Sequence, residues 1–187
     1  MALLAEEIVE EWLNRDGWFT IRGCKLGVHE IDILAVRLTS GSVECRQIEV
    51  QVSIAPVSYI SRVPKAEQKL GRIATSAKLR LNEELSIGVG EWIEKKFDHP
   101  KKIALRKRLY PGVWTRELVV HNVAHAEELN EIRKAGILVH QLRDVIKDLG
   151  SDGRVVPKAG GADFASLVLL GTENPTAAPP YGKDSSH

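Results

Sequence analysis

The sequence has few cysteines that could form cross-links and no long apolar segment. Its 187 residues include two cysteines, Cys24 and Cys45, whose spacing matches no metal-ligand motif, so we expect small buried thiols in a reducing compartment. No apolar run approaches the roughly 18 residues that a membrane span requires. The short apolar start meets Glu6 and Glu7 at once, which is untypical of a signal peptide. The sequence therefore predicts a cytoplasmic protein with no membrane partner.

The chain also lacks an excess of positive or negative side chains. The chain has 26 lysines and arginines against 25 aspartates and glutamates, so any basic surface that attracts nucleic acid must be local. The one dense basic run lies within residues 95–108. We predict that it contacts phosphates, and a solvated helix face is the alternative interpretation. The residues predicted for phosphate contact are Lys101, Lys102, Arg106, Lys107 and Arg108.

Hydrophobic periodicity predicts an α/β protein in which helices flank a mixed central β-sheet. We assign residues 1–150 to this domain and residues 151–187 to a Gly/Pro/Ser-rich tail with a short helix at 162–170. Residues 54–59 are predicted to be a loop, with Gly88 and Gly90 breaking the helical pattern before residue 92. The predicted helices span residues 2–15, 64–81, 92–108 (interrupted at His99–Pro100), 127–134 and 141–149, and the predicted strands span 18–22, 28–36, 47–53, 113–123 and 137–139.

Carboxylates interrupt two of the apolar strands, 28–36 and 47–53, which form a predicted hairpin around Gly41. Because side chains alternate between faces along a strand, Asp32 shares a face with Glu30 and Glu49 shares one with Gln51. The opposite faces carry only apolar residues and are predicted to be core. A buried carboxylate is costly unless something pairs with it, and a divalent metal ion would do so.

The candidate ligands are the hard oxygens that Mg²⁺ or Mn²⁺ prefers, namely the carboxylates of Asp32 and Glu49 and the backbone carbonyl of Val50. Such a cation would polarise a scissile phosphate and activate a water molecule. On the first helix, Glu6 lies at the border of the apolar stripe, and Glu10 lies further round. The same projection turns Glu7 and Glu11 toward solvent.

The arrangement resembles the PD-(D/E)XK nuclease superfamily, which includes restriction enzymes and Holliday-junction resolvases. The residues that carry the resemblance are Glu6 on the first helix, Trp18 after Gly17, the strand Glu30-Ile31-Asp32-Ile33-Leu34-Ala35, and Glu49-Val50-Gln51. The resemblance covers residues 1–53 well and implies an αβββαβ core. It also implies a metal-dependent endonuclease of restriction or repair type that hydrolyses DNA phosphodiester bonds, with a homodimer as a reasonable expectation.

Carried over by position, the resemblance makes Asp32 and Glu49 the metal ligands, with Val50, and makes Glu6 the supporting helical carboxylate. The departure from the family pattern is Gln51, which stands where the family usually has a catalytic lysine. A glutamine orients a water molecule by hydrogen bonds but supplies no charge. We expect Lys65 or Lys69, on the following helix, to be the candidate for the missing charge.

Two alternatives stay open at this point. The protein could be a catalytically inactive nucleic-acid-binding or interaction protein on the same fold, which the glutamine at position 51 favours. In a purely structural alternative, Asp32 and Glu49 pair with Arg22 or Arg46 and bind no metal.

Overall fold

The computed structural model describes residues 2–151, together with residues 155, 156 and 168. The predicted tail at 151–187 and its short helix at 162–170 fall largely outside these residues. None of the helices in the described part of the chain is both long enough and apolar enough to cross a membrane. The helices are α1 (Ala2–Arg15), α2 (Lys65–Lys69), α3 (Asn82–Ile93), α4 (Pro100–Leu109), α5 (Ala126–Lys134) and α6 (Leu142–Leu149), and the strands are β1 (Phe19–Leu26), β2 (His29–Thr39), β3 (Ser42–Val57), β4 (Trp114–Val123) and β5 (Leu138–Gln141).

The described strands form one mixed sheet in the order β1-β2-β3-β4-β5. Strands β1, β2 and β3 are antiparallel neighbours, whereas β4 and β5 run parallel to β3. The turn between β2 and β3 contains Gly41 at φ 93°, a left-handed conformation that favours glycine. The predicted hairpin is therefore present, and the prediction of an α/β protein with a mixed central sheet flanked by helices is confirmed.

Helices cover both faces of the sheet. On one face, α1 and α6 pack on a cluster that includes Ile33, Ile48 and Val50. On the other face, α3 and α5 pack on a second cluster around Leu118 and Val120 of β4. The alternation of the hairpin thus sends Ile33, Ile48 and Val50 to the first face, and leaves Asp32 and Glu49 to point toward the second.

Several boundaries differ from the sequence prediction. The helix expected over residues 64–81 is wrong beyond Lys69, because the chain leaves the helix and Gly71 adopts φ 95°. The expected loop at 54–59 is wrong over residues 54–57, because β3 continues to Val57, which pairs with Val123 after an irregularity. A strand of this kind accommodates Pro56 where the ladder is interrupted.

Gly88 lies inside α3 rather than at a break, and close packing explains this position. A Cβ atom at residue 88 would lie 2.9 Å from the backbone carbonyl oxygen of Arg62 and 3.3 Å from the Ser61 hydroxyl. Glycine therefore lets α3 approach the 61–62 segment. Gly90 lies in the same helix with nothing within 4 Å of its Cβ position.

We expect Gly88→Ala to lower the free energy of unfolding by about 1–3 kcal/mol, because the added methyl group meets backbone that cannot rotate away. Gly90→Ala is the matched control, and it should raise stability by about 0.5–1 kcal/mol through its better helix propensity. Urea denaturation followed by circular dichroism measures both values. Equal effects of the two substitutions would contradict the close approach of α3.

Candidate functional site

Strands β2 and β3 separate at the position where the two predicted carboxylates face each other. Their ladder runs from Thr39 opposite Ser42 to Ile33 opposite Ile48, so the next pair in this register would be Asp32 and Glu49. Instead, the backbone N–H of Val50 donates to Oδ2 of Asp32 at 2.8 Å. The Asp32 carboxylate thus replaces a backbone acceptor, and this bond fixes it beside β3 where the strands diverge.

Glu49 is buried and contacts two lysines. Its Oε2 accepts from Nζ of Lys96 at 2.6 Å, and its Oε1 accepts from Nζ of Lys102 at 3.1 Å. Burial and the nearby charge of Asp32 raise the pKa of Glu49, and the two ammonium groups oppose that rise. Both carboxylate oxygens of Glu49 thus contact a lysine.

The two lysines respond differently to their surroundings. Burial favours the neutral amine of Lys96, but the charges of Glu49 and Asp32 outweigh burial and raise its pKa. For Lys102, burial dominates and lowers the pKa despite the contact with Glu49. The Lys96 side chain is 29% exposed, whereas that of Lys102 is 2% exposed. Lys96 is therefore the solvent-facing member of the pair.

Glu6 on α1 interacts electrostatically with Asp32 and Glu49. Burial, together with the charges of Asp32 and Glu30, raises the pKa of Glu6, with Glu49 adding to the effect. Glu10 is engaged elsewhere, since it accepts from the Thr20 hydroxyl at 3.1 Å and pairs with Arg22 at 2.9 Å. The structure therefore favours Glu6 over Glu10 for the site.

The expectation that Glu11 faces solvent is wrong. Glu11 is 1% exposed and its Oε1 accepts from Nε of Arg15 at 2.7 Å. Arg15 also donates to the carbonyl of Leu149 in α6, which packs against α1. The helical projection considered only the side of α1 that faces the sheet. In the structure, α6 covers a second side of α1, which the projection left exposed to solvent.

Gln51 lines an open cleft of about 600 Å³, whose lining residues do not include Asp32, Glu49 or Glu6. Lys65 and Lys96 lie on the wall of the same cleft. The hydrogen bonds described for Lys65 run from its backbone N–H to Glu91, at 3.1 and 3.2 Å. Lys96, which contacts Glu49 directly, thus brings a positive charge closer to the site than the lysine expected from the sequence.

The basic run separates into two faces when it folds. Lys102 and Arg106 are buried, and Arg106 donates to Oε1 of Gln47 at 2.6 Å. Phosphate contact by these two residues, as the sequence predicted, is therefore not supported by their positions. The exposed residues of α4 that remain candidates for phosphate contact are Lys101, Lys107 and Arg108.

Pro100 explains why the backbone carbonyl of Lys96 accepts from side chains. The predicted split at His99–Pro100 is present, with a π-helical turn over Glu94–Asp98 ahead of α4. In a regular α-helix the carbonyl of Lys96 would accept from the N–H of residue 100, which proline lacks. That carbonyl accepts instead from Nε2 of Gln47 at 2.8 Å and from Nζ of Lys102 at 2.7 Å.

In the purely structural alternative, Asp32 and Glu49 would pair with Arg22 or Arg46. Arg46 pairs with Glu117 at 3.4 Å and lies 4.0 Å from the centre of the Trp18 ring. Glu49 contacts lysines instead. Within the described residues, no group of three or more His, Cys, Asp or Glu side chains is arranged to hold a metal ion. A metal site here would therefore depend on two carboxylates and a backbone carbonyl, completed by water and substrate oxygens.

Comparison with known proteins brings no family assignment. No protein-family model matches the chain, and no curated protein matches it. Since a fold alone does not define an activity, function is inferred from the residues of the site.

Proposed function

We propose that this protein is a metal-dependent endonuclease that hydrolyses DNA phosphodiester bonds, with an active site of the PD-(D/E)XK kind. One observation carries the proposal: Asp32 and Glu49 meet where β2 and β3 separate, with Glu6 close by. The two carboxylates come from adjacent strands at one end of the sheet, and their charges contribute to the raised pKa of Glu6 on α1. Their crowding is a cost to the fold that a catalytic role would explain.

The donor set suits Mg²⁺ or Mn²⁺. Asp32, Glu49 and the Val50 carbonyl supply hard oxygens, and the pKa of Glu6 is raised by burial and by repulsion from Asp32, Glu30 and Glu49. A divalent cation held by these groups would relieve that repulsion. When bound, it would polarise the scissile phosphate and lower the pKa of a bound water molecule.

The remaining residues would bind and orient the DNA. Gln51 lines the cleft and its amide can hydrogen-bond to an attacking water molecule or a phosphate oxygen. Lys101, Lys107 and Arg108 are exposed on α4 and are proposed to contact phosphates in a salt-dependent, sequence-independent way. A cytoplasmic location and a homodimer that cuts both strands stay predictions.

A catalytically inactive nucleic-acid-binding protein is the second candidate. The observation that favours it is that two lysines contact both carboxylate oxygens of Glu49. If these contacts are permanent, Glu49 belongs to a structural ion pair and binds no metal cation.

Incubation with supercoiled plasmid separates the two candidates. The nuclease should convert supercoiled plasmid to open-circular DNA with Mg²⁺ or Mn²⁺, and EDTA should stop the reaction. Retarded migration of DNA without a nick under either metal would support the inactive binding protein instead.

The choice between the two helical carboxylates is tested separately. We expect Glu6→Gln to lower the initial nicking rate about tenfold, because the site loses one of its supporting charges. Glu10→Gln, which removes a charge from the same helix at its bond to Arg22, should stay within about twofold of the wild type. An equal loss in both variants would remove Glu6 from the site.

A further inference from the structure

The two lysines around Glu49 are held with unequal strength. Nζ of Lys102 donates to Glu49 and to the carbonyl of Lys96, and its side chain is nearly fully buried. Nζ of Lys96 donates to Oε2 of Glu49 from a side chain that is partly exposed. Lys102 is therefore the more firmly held counter-ion, whereas the Lys96 side chain is partly exposed.

The backbone of Lys96 is anchored although its side chain is not. Its carbonyl accepts from Gln47 and from Lys102 at the π-helical turn before Pro100. The side chain lies between Glu49 and the cleft that Gln51 lines. Rotation about the side-chain bonds alone thus carries the ammonium group from the carboxylate into the cleft, with no change in the fold.

Lys96 and a divalent cation would compete for Oε2 of Glu49. That oxygen accepts from the ammonium group of Lys96 at 2.6 Å, and a cation bound beside it would repel the ammonium charge. A cation at Asp32 and Glu49 therefore favours displacement of Lys96. Lys102 contacts the other oxygen, Oε1, and compensates the charge of Glu49 throughout.

Building on the proposed function, we infer that Lys96 is the cationic catalytic residue of this site. Without metal it closes Glu49, and with metal it turns into the cleft and contacts a phosphate oxygen of the DNA. There it stabilises the charge that develops on the phosphate, which Gln51 cannot do. Lys96 remains an ammonium ion throughout and neither gives nor takes a proton.

Mn²⁺ binding without DNA tests the closing of Glu49. Free Mn²⁺ is measured by electron paramagnetic resonance during titration of the full chain. We expect Lys96→Met to bind Mn²⁺ about tenfold more tightly than the wild type or more, because a competing charge is removed. Lys147→Met, a charge removed from an exposed position on α6, should leave the affinity unchanged. Affinity in Lys96→Met that equals or falls below the wild-type value would overturn this part of the inference.

Plasmid nicking tests the role toward phosphate. We expect Lys96→Met to nick about 100-fold more slowly at saturating Mn²⁺, although it binds the metal better. Lys96→Arg should recover part of the rate, and Lys147→Met should keep all of it. Thermal melts by circular dichroism check that each variant is folded.

The outcomes separate this inference from the proposed function. Undiminished nicking by Lys96→Met overturns the phosphate contact while the nuclease stands. If the wild type itself cuts no DNA, the phosphate contact falls with the proposed function. Tighter Mn²⁺ binding by Lys96→Met would still support the closing of Glu49 by Lys96.

Discussion

Asp32→Asn should lower the rate of plasmid nicking about a thousandfold or more, because the cation loses the charge of a principal ligand. Asparagine keeps an oxygen that can accept from the Val50 N–H, so the link between β2 and β3 is preserved. Glu49→Gln should have an effect of similar size. In both variants the loss belongs to the chemistry, and the fold is retained.

Glu44→Gln is the matched control for these variants. Glu44 lies on the same strand as Glu49 but pairs with Arg37 at the other end of the hairpin. We expect it to keep the wild-type nicking rate. Circular dichroism spectra and melting temperatures show whether each variant is folded. Wild-type rates for folded Asp32→Asn would exclude Asp32 from the active site.

Lys102→Met should lower the free energy of unfolding by about 3 kcal/mol, because removal of one partner leaves a buried charge undercompensated. Glu49 is 1% exposed, and Lys102 also satisfies the carbonyl of Lys96. Lys96→Met should cost less than about 1 kcal/mol, since its ammonium group is partly solvated. Urea denaturation measures both losses of unfolding free energy, provided that the m-value is the same in each variant.

A double-mutant cycle locates the origin of that loss. If Lys102 stabilises the fold through Glu49, combining Lys102→Met with Glu49→Gln should cost less than the sum of the two single substitutions. Additive losses would mean that Lys102 acts through other contacts, and equal stabilities of Lys102→Met and Lys96→Met would contradict the unequal holding of the two lysines.

The sequence predicts the parts of the site that depend on local periodicity. Alternation along β2 and β3 puts Asp32 and Glu49 on the face opposite the core residues, and the helical period puts Glu6 at the border of α1. These relations hold within a strand, a hairpin or a helix. The structure places Asp32 and Glu49 opposite each other for the same reason.

The sequence does not predict the contacts of the site that depend on how distant helices and strands pack together. Lys96 and Lys102 lie 47 and 53 positions from Glu49, and they reach it because the helical segments before and after Pro100 fold over the sheet. The dense basic run made Lys102 a predicted phosphate ligand, whereas tertiary packing buries it. One sequence signal pointed to the exception: Pro100 leaves the carbonyl of Lys96 without its helical partner.

Mn²⁺ located by its anomalous X-ray scattering tests most directly whether Asp32 and Glu49 form the metal-dependent active site. Crystals of the wild type and of Asp32→Asn are to be soaked at the Mn²⁺ concentration that supports nicking. We predict one strong peak beside the carboxylates of Asp32 and Glu49 in the wild type, with Lys96 turned away from Glu49, and no such peak in Asp32→Asn. Active protein whose Mn²⁺ lies elsewhere, or is absent from this position, would contradict the account.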